Sequence, residues 1–406
     1  MIACLVATTG AKSWIHESAR ENRADFGAWL LPTQNRPDSA GVVTFYAIGD
    51  QGYAGEQQAA VAELLKINVG AIGAREVRPF VLGTGDNYYP NGLPWGWPKD
   101  HVPGLFLDRR FDEVYAACLH DGHGLTFHLV HGNHDYRGDV YLWETFAEGR
   151  FDGSDGTPRL VSYTLRSPNV ADTNNETEYD GLRQAAENGE LLSLPELVPV
   201  PTDKVAIIAI DSYVMIHLQD DARGHKDDDG PNEAAEKLEA HWAGLRLLLA
   251  ENADVRWAFV VGHHPIATHG AHGGHNPRPL GLHLHGLWKK IRGVVGAHDI
   301  QDLGHSAYDA FADRLATELA VRKRVVYVAG HEHNLQMLWY KDRLIQIVSG
   351  AGSKLTSVKQ GRDTVFKAKE PGLVRFDVAG NDLWVEFIYG SSATQRKSST
   401  FRINRR

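Results

Sequence analysis

The sequence predicts an α/β fold in which strands and helices alternate along the chain. Short apolar runs with the composition of buried strands are separated by segments of helical periodicity. The first unit, a strand, a helix and a strand between residues 42 and 82, predicts parallel pairing with a right-handed crossover. No internal repeat is evident, and no linker separates independent domains. A length of 406 residues suits one elaborate domain or two smaller ones.

The composition argues against several kinds of function. Lys and Arg total 42 against 51 Asp and Glu, so the net charge is −9 and we expect no broad basic surface for nucleic acid. No apolar run approaches the roughly 20 residues that a membrane helix needs. The two cysteines, Cys4 and Cys118, cannot build a disulfide scaffold. The 21 histidines indicate either metal and proton chemistry or histidine runs on the surface.

Three strands are predicted in the first third of the chain. The first is rich in β-branched and aromatic residues, and each strand is an apolar run that leads into a turn containing Asp or Asn. Segments of helical spacing separate them. The predicted strands are 42–48, 80–82 and 126–130, and the predicted helices are 56–67 and 111–119.

The rest of the chain continues this pattern with two interruptions. The polar segment 152–201 has the character of an insertion over the surface. The Gly- and His-rich loop that starts at residue 264 is too long for a simple connection, so we expect it to border a site. The predicted strands are 205–210, 257–261, 324–329, 344–348, 373–377 and 383–388, and the predicted helices are about 231–251 and 308–321.

Residues able to hold a metal follow five of the predicted strands. Asp86 and Tyr89 lie three residues apart directly after the strand 80–82. His331 and His333 share a face only if the chain between them is extended, which is expected just after a strand. Any one of these residues could simply cap a turn, but together they indicate a metal site. The set is Asp50, Asp86, Tyr89, Asn133, His134, His263, His331 and His333.

The chemistry of this set points to two metal ions. Carboxylate, phenolate, amide and imidazole ligands suit iron, manganese and zinc, whereas a soft metal would call for thiolate. The seven residues of this set other than His134 are too many for one tetrahedral ion but suit two ions that share Asp86. Two ions about 3.5 to 4 Å apart can hold both the attacking and the departing oxygen of a phosphoryl transfer.

Five motifs in order resemble those of a known family. They are GDQG at 49–52, GDNYY at 85–89, GNHD at 132–135, GHHP at 262–265 and GHEH at 330–333. This set resembles the calcineurin-like metallophosphoesterase superfamily. Tyr89, three residues after the second Asp, resembles the tyrosine that binds ferric iron in the purple acid phosphatases. The resemblance spans residues 42–354.

The resemblance implies a fold, an activity and a metal centre. The fold would be a four-layer α/β/β/α sandwich with two facing mixed sheets, covering 41–406 after an N-terminal lead-in at 1–40, with surface insertions near 152–201 and 266–305. The activity would be hydrolysis of phosphate monoesters by a metal-bound hydroxide at a dinuclear Fe(III)–M(II) centre, where M is Fe, Zn or Mn. Asp50, Tyr89 and His333 would hold the ferric ion, Asn133, His263 and His331 would hold the divalent ion, and Asp86 would bridge the two.

The resemblance also implies residues that act on the substrate. His134 would contact the phosphate or help to protonate the leaving group, and Asp135 could orient it. His272, nine residues after His263, best matches the spacing of a further substrate histidine, and His269 and His275 compete with it. His264 is expected to be a loop residue or to support a ligand.

Several alternatives stay open at this point. A phosphodiesterase or pyrophosphatase could use the same metals, with the loop around Trp95 and Trp97 forming the larger cleft. A binding module could keep the fold without turnover, and a structural zinc protein is disfavoured because no thiolate cluster exists. The expected partner is a small phosphate ester. A secreted or periplasmic location is the tendency of the family, and the apolar first residues agree with it. The oligomeric state stays undetermined.

Overall fold

The computed structural model of the chain describes residues 30–33, 35–93, 110–111, 113–119, 124–138, 140, 160–162, 194–200, 202–224, 232–273, 300–341 and 343–404. Two mixed sheets dominate this part of the chain, and each sheet carries helices on one face. Of the predicted features, Trp95, Trp97 and His275 lie outside the described residues.

The first sheet has eight strands and a parallel centre. Its order is β1-β15-β14-β13-β2-β3-β4-β5, and β2 to β5 pair in parallel while the strands from β13 outward are antiparallel. The strands are β1 (Leu30–Thr33), β2 (Val43–Ile48), β3 (Phe80–Thr84), β4 (Thr126–Val130), β5 (Leu160–Ser162), β13 (Gly372–Ala379), β14 (Asp382–Tyr389) and β15 (Lys397–Asn404).

The second sheet has seven strands. Its order is β12-β10-β11-β9-β8-β7-β6, with β7, β8, β9 and β11 parallel and the others antiparallel. The strands are β6 (Glu196–Leu197), β7 (Val205–Ala209), β8 (Trp257–Val261), β9 (Val325–Ala329), β10 (Leu335–Tyr340), β11 (Leu344–Ser349) and β12 (Thr364–Ala368).

Apolar side chains hold the sheets and helices together in layers. Between the sheets, the Phe45 ring of β2 packs edge-on against Phe259 of β8, with the ring centroids 4.9 Å apart. Two further clusters bury the outer faces, one under the first sheet's helices and one under the second sheet's. The helices are α1 (Glu56–Gly70) and α2 (Glu113–Leu119) on the first sheet, and α3 (Ser212–Gly224), α4 (Glu233–Glu251) and α5 (Ser306–Leu319) on the second.

The four-layer α/β/β/α sandwich is therefore confirmed, and so is the parallel strand-helix-strand unit of β2, α1 and β3. Four details differ from expectation. The strands β10, β12 and β15 were not predicted individually. The strand β1 lies within the predicted lead-in and pairs with β15, while β5 and β6 lie within the predicted insertion 152–201. The helix α3 was not predicted. None of the helices in the described ranges is long and apolar enough to cross a membrane.

The carboxyl ends of strands from both sheets meet at one edge of the sandwich. Within the first sheet, the Asp50 N–H donates to the carbonyl of Gly85 at 2.9 Å. Between the sheets, the Gly49 N–H donates to the backbone carbonyl of Ser349 at 2.7 Å. Within the second sheet, the Gly330 N–H donates to the backbone carbonyl of His263 at 3.0 Å. These backbone bonds fix the loops that carry the predicted metal ligands against one another.

Candidate metal centre

One group of predicted ligands surrounds the phenol of Tyr89. Its hydroxyl oxygen lies 2.8 Å from Asp50 Oδ1, 2.7 Å from Asp86 Oδ2 and 3.1 Å from His333 Nε2. Tyr89, Asp50 and Asp86 are buried. A single hydroxyl hydrogen can serve only one of the two carboxylates, so the other short contact brings two oxygen lone pairs together. A cation between these oxygens would remove that repulsion.

A second group lies on the other side of Asp86. The Oδ1 atom of Asn133 is 3.0 Å from His263 Nε2 and 3.2 Å from His331 Nδ1, and the two ring nitrogens are 3.2 Å apart. All three side chains are buried. The structure thus brings together an amide oxygen and two imidazole nitrogens, the donor set expected for the divalent ion.

Hydrogen bonds to backbone carbonyls fix the tautomers of the two histidines. His263 Nδ1 lies 2.8 Å from the carbonyl of Thr84, and His331 Nε2 lies 2.9 Å from the carbonyl of Gln301. A carbonyl accepts but cannot donate, so each of these nitrogens carries the proton. The nitrogens that face Asn133 therefore present lone pairs. Three converging lone pairs fit a cation and would repel one another without it.

Asp86 connects the two groups. Its Oδ2 atom accepts from Tyr89, while its Oδ1 atom lies 3.5 Å from His263 Nε2 and accepts the His134 N–H at 2.9 Å. Burial opposes the ionisation of Asp86, but the neighbouring His263 and His134 and the Tyr89 hydrogen bond lower its pKa below the ordinary value. A carboxylate with one oxygen toward each group has the position that a bridging ligand requires.

Tyr89 is not acidic by itself. Burial raises its pKa well above the ordinary value, and the charges of Asp50 and Asp86 raise it further. The phenol therefore stays neutral unless a cation compensates for the loss of its proton. A phenolate at this position would need a strongly charged metal beside it.

The backbone at the strand ends is unusual. Four described residues other than glycine have positive φ, and three of them are predicted ligands: Asp50 (56°), Asp86 (56°) and His331 (69°). Left-handed backbone is uncommon for residues with a side chain and tends to cluster at functional sites. Glycines make room beside them. A Cβ on Gly132 would lie 2.3 Å from Asp86 Oδ1, so no larger residue fits there without displacing the carboxylate.

His134 lies at the open side of the centre and is half-buried. Its Nδ1 atom is 2.5 Å from the carbonyl of Pro90, and its ring centroid is 4.4 Å from that of Tyr89. The carbonyl accepts a hydrogen bond from the Nδ1–H group, which leaves Nε2 to act on a ligand. His134 thus lies beside Asn133 and Asp86, and its substrate role stays a prediction.

We expected that Asp135 could orient His134, but the hydrogen bonds described for the Asp135 carboxylate go to other residues. The buried Asp135 carboxylate accepts hydrogen bonds from Asn87, Tyr88 and Gly132, at distances of 2.9 to 3.1 Å. The backbone turns His134 toward Pro90 instead. Asp135 therefore joins the loop after β3 to the loop after β4, and it positions the ligands rather than the His134 ring.

His272 reaches the centre, whereas His269 does not. The His272 ring centroid is 4.1 Å from that of His331, and its Nδ1 atom lies 2.9 Å from Asp302 Oδ1. Burial lowers the pKa of His272, but the hydrogen bond to Asp302 and the charges of nearby carboxylates outweigh it, and the pKa is raised. His269 Nε2 pairs with Asp363 at 2.5 Å. The catalytic role of His272 stays a prediction.

Comparison with known proteins agrees with this donor set. No family model matches the chain. The chain is homologous to purple acid phosphatases. Purple acid phosphatase 3 of Arabidopsis thaliana is 27% identical over 339 residues, covering 83% of this chain and 69% of that protein. Purple acid phosphatase 17 of the same plant is 26% identical over 318 residues, covering 78% and 70%. Tartrate-resistant acid phosphatase type 5 of Sus scrofa is 22% identical over 383 residues, covering 92% and 87%.

A solved structure shares the fold. GAP50, described as the anchor in the inner membrane complex of Plasmodium, matches with a TM-score of 0.53 at 15% identity, and the match covers 90% of each chain. Together with the purple acid phosphatase relatives and the buried His and Asp cluster, the fold indicates a metallophosphoesterase. Its phosphatase relatives imply a dinuclear metal centre, for which candidate ligands are present.

Sequence reasoning missed three residues that support the candidate metal centre. Gln301 Oε1 accepts from Asn133 Nδ2 at 2.9 Å, so the Asn133 oxygen faces the histidines. Ser212 Oγ accepts the N–H groups of His263 and His264, each at 3.0 Å. Glu332 holds the loop of His272. Only Glu332 had a visible signal, an acidic residue between two ligands of the GHEH motif.

His264 is buried beside the ligands. Its Nδ1 atom lies 3.0 Å from Ser212 Oγ, which already accepts two N–H groups and so donates its own proton to His264. The Nε2 atom of His264 consequently carries the ring proton. Burial lowers the pKa of His264 well below the ordinary value, and the nearby His263 lowers it further, which keeps the ring neutral. This agrees with the expectation that His264 supports a ligand.

Proposed function

We propose that the protein hydrolyses phosphate monoesters at a dinuclear Fe(III)–M(II) centre. The observation that carries the proposal is the position of the Tyr89 oxygen, within 2.8 Å of both Asp50 and Asp86. The purple acid phosphatase relatives support the same reaction class.

The two groups of ligands favour different metals. Phenolate, two carboxylates and the His333 imidazole form a hard, anionic set, which favours ferric iron. Asn133, His263 and His331 offer a neutral set with two imidazoles, which favours divalent Fe, Zn or Mn. Asp86 contributes to both. The difference in charge between the two groups is the reason for proposing two different oxidation states.

The protein's own residues would hold and orient the ester. When bound, two such ions polarise the phosphoryl oxygens and lower the pKa of water. His134, with its Nδ1–H held by the Pro90 carbonyl, presents Nε2 at the open side. In the neutral ring this nitrogen would accept a hydrogen bond, and in the doubly protonated ring it would donate to a phosphoryl oxygen or to the departing ester oxygen. His272, held by Asp302 and Glu332, approaches from the side of His331. The phosphate would lie between these two histidines, and both would stabilise the charge that develops on it.

The test combines metal analysis, a visible spectrum and phosphate release from p-nitrophenyl phosphate and bis-p-nitrophenyl phosphate. We expect iron plus one divalent metal, a charge-transfer band from phenolate to iron, and preference for the monoester. Tyr89→Phe should abolish the band. Tyr88→Phe is the matched control, because Tyr88 is a buried neighbour whose ring faces Arg110 rather than the ligands. A colourless, iron-free but active wild type would contradict the ferric assignment.

The same experiment separates the alternatives. A strong preference for the diester would favour a phosphodiesterase. GAP50 shares the fold and is described as an anchor, so the fold by itself does not decide between catalysis and binding. Metal loading without phosphate release from either ester would favour a binding module. A secreted or periplasmic location stays a prediction.

A further inference from the structure

A groove on the second sheet lies far from the candidate metal centre. The strand β10 begins at Leu335, just after the predicted ligand His333, and ends at Tyr340, so its hairpin turn lies at the opposite end of the sheet. The groove runs between this turn and the C-terminal half of α5, and its volume is about 560 Å³. Sites for small molecules have volumes of about 300 to 1,000 Å³, so the groove is large enough for one.

The floor of the groove is apolar. Ala316 of α5 and Leu344 of β11 are buried members of the cluster beneath the helices of the second sheet, and Ala320 and Tyr340 lie half-buried beside them. Val321 also lines the groove and is 81% exposed, the highest fraction among the large apolar side chains of the described residues. An apolar body bound in the groove would remove this surface from water, which stabilises the complex.

The charges that line the groove do not balance. Lys341 Nζ donates to Asp313 Oδ1 at 2.7 Å. This hydrogen bond lowers the pKa of Asp313, so the carboxylate stays ionised and compensates the lysine. Arg343 is exposed in the same groove, and its guanidinium makes no hydrogen bond or ion pair with any residue that the structure describes. The lining residues therefore carry one positive charge that no carboxylate among them compensates.

The turn that carries this charge has an unusual backbone. Lys341 is the fourth described residue other than glycine with positive φ, at 47°, and the other three are predicted metal ligands. Such backbone tends to occur at functional sites. The turn is closed by a hydrogen bond from the Arg343 N–H to the Tyr340 carbonyl at 3.0 Å. The backbone of Arg343 is therefore held in place at the edge of the apolar floor.

We propose that this groove binds a free aliphatic monocarboxylate, with its carboxylate on Arg343 and its hydrocarbon chain on the apolar floor. Charge complementarity selects this ligand, because one unmatched guanidinium fits one carboxylate and can donate two parallel hydrogen bonds to it. Between Asp313 and Ala320, α5 rises about 10 Å, which a chain of about eight carbon atoms spans. The same length accommodates only about three extended residues of a peptide. The inference does not rest on the proposed hydrolysis.

Isothermal titration calorimetry of the full chain tests the site, with sodium octanoate as the probe. We expect binding with a Kd below about 1 mM. Hexanoate should bind more weakly, by about fourfold for each CH₂ group removed. Octanol has no carboxylate and should bind at least about tenfold more weakly than octanoate, and octylamine should not bind. The affinity for octanoate should be the same in metal-loaded and chelator-treated protein, because the groove is remote from the candidate centre.

Two substitutions test the two halves of the site. Arg343→Gln removes the charge and should weaken octanoate at least about tenfold while leaving octanol unchanged. Ala320→Leu fills the floor and should weaken both ligands. The matched controls are Lys369→Gln and Ala243→Leu, which should change neither affinity. Lys369 is exposed and follows β12 at the end that pairs with Leu335, and Ala243 is exposed on α4. Thermal unfolding checks that each variant is folded.

Several results would overturn the site. They are the absence of saturable octanoate binding, equal affinity in wild type and Arg343→Gln, an affinity independent of chain length, and loss of binding when the metals are removed. Sedimentation velocity supplies a further arm. Dimerisation of wild type that Arg343→Gln abolishes would show that a second copy of the chain covers the groove, and it would also overturn the proposal.

Discussion

Glu332 accepts the backbone N–H of His272 at 2.8 Å, although in sequence it stands between the predicted ligands His331 and His333. The same buried carboxylate accepts the N–H groups of Ala271 at 2.9 Å and Gly273 at 3.3 Å. The loop that carries His272 is thus fastened to the loop that carries two metal ligands. Any movement of one loop would move the other.

The first prediction concerns this fastening. Glu332→Gln replaces one carboxylate oxygen with an NH₂ group that faces N–H donors, so we expect the His272 loop to shift. We expect kcat/KM for p-nitrophenyl phosphate to fall about 10- to 100-fold, which is the usual effect of removing a residue that orients groups at a metal site. Metal content should stay near that of wild type. Glu370→Gln, on an exposed ion pair with Lys397, is the control. An unchanged kcat/KM in Glu332→Gln would show that His272 does not depend on Glu332.

The second prediction concerns Gln301 and the divalent ion. Gln301→Ala removes the acceptor that turns the Asn133 oxygen toward His263 and His331, so affinity for the divalent metal should fall about 10- to 100-fold. Dialysis against a graded series of chelator concentrations, followed by metal analysis, measures this. Iron should be retained, because Gln301 makes no described contact with the Tyr89 group. Gln360→Ala, at an exposed position, serves as control. Loss of both metals together would contradict separate sites.

The third prediction separates the role of Asp135 from that of His134. Asp135→Asn places an amide against the N–H groups of Asn87, Tyr88 and Gly132, so we expect the free energy of unfolding to fall by about 3 kcal/mol. Urea denaturation measures it. Asp309→Asn, whose carboxylate accepts one exposed N–H from Gly304, should cost less than about 1 kcal/mol. Equal effects of the two substitutions would mean that Asp135 does not join the loops.

The fourth prediction uses pH and a histidine remote from the centre. His128 lies in β4 with its ring against Phe80, and burial lowers its pKa to about 4. Above pH 6.5 the ring is neutral in both folded and unfolded chains. As the pH falls from 6.5 toward 4, only the unfolded chain takes up the proton, so stability is lost in that window, by about 3 kcal/mol in total.

The measurement compares the free energy of unfolding at pH 7.5 and pH 4.5 for wild type and His128→Leu. The variant lacks the titrating ring, so its loss of stability between these pH values should be smaller than that of wild type. Tyr340→Phe, at a half-buried position on β10, serves as the control because the phenol does not titrate between these two pH values. Identical pH dependence in wild type and His128→Leu would refute the assignment.

The proximity of the candidate metal ligands could be predicted from sequence because these residues follow the ends of parallel strands. Asp50, Asp86, Asn133, His263 and His331 all come directly after buried apolar runs, and parallel strands bring their carboxyl ends to one edge. Local pattern and a general rule of sheet geometry were sufficient. The same local reasoning predicted most of the central strands within two residues of their ends.

Other features depend on contacts between distant parts of the chain. Gln301 was assigned to an insertion, since nothing near it in sequence shows that it meets Asn133, 168 residues away. The pairing of β1 with β15 joins the two extremes of the described chain, and a four-residue strand has little local signal. The helix α3 was missed because its exposed face is polar, although Asp211 caps its N-terminus by accepting the Val214 N–H at 3.0 Å. The partners of Asp135 were not predicted, because the side chains of residues adjacent in sequence need not point toward one another.

Asp50, Asp86 and His331 adopt positive φ, a conformation that costs residues with a Cβ atom about 1 to 2 kcal/mol each. A sequence selected for folding alone would place glycine at such positions. Glycine has no side chain to bind a cation, so the proposed metal binding and the folding of the chain impose opposite demands on the same three residues. The strained backbone at the candidate centre consequently lowers the free energy of unfolding. Selection for greater heat resistance would therefore have to act elsewhere in the chain.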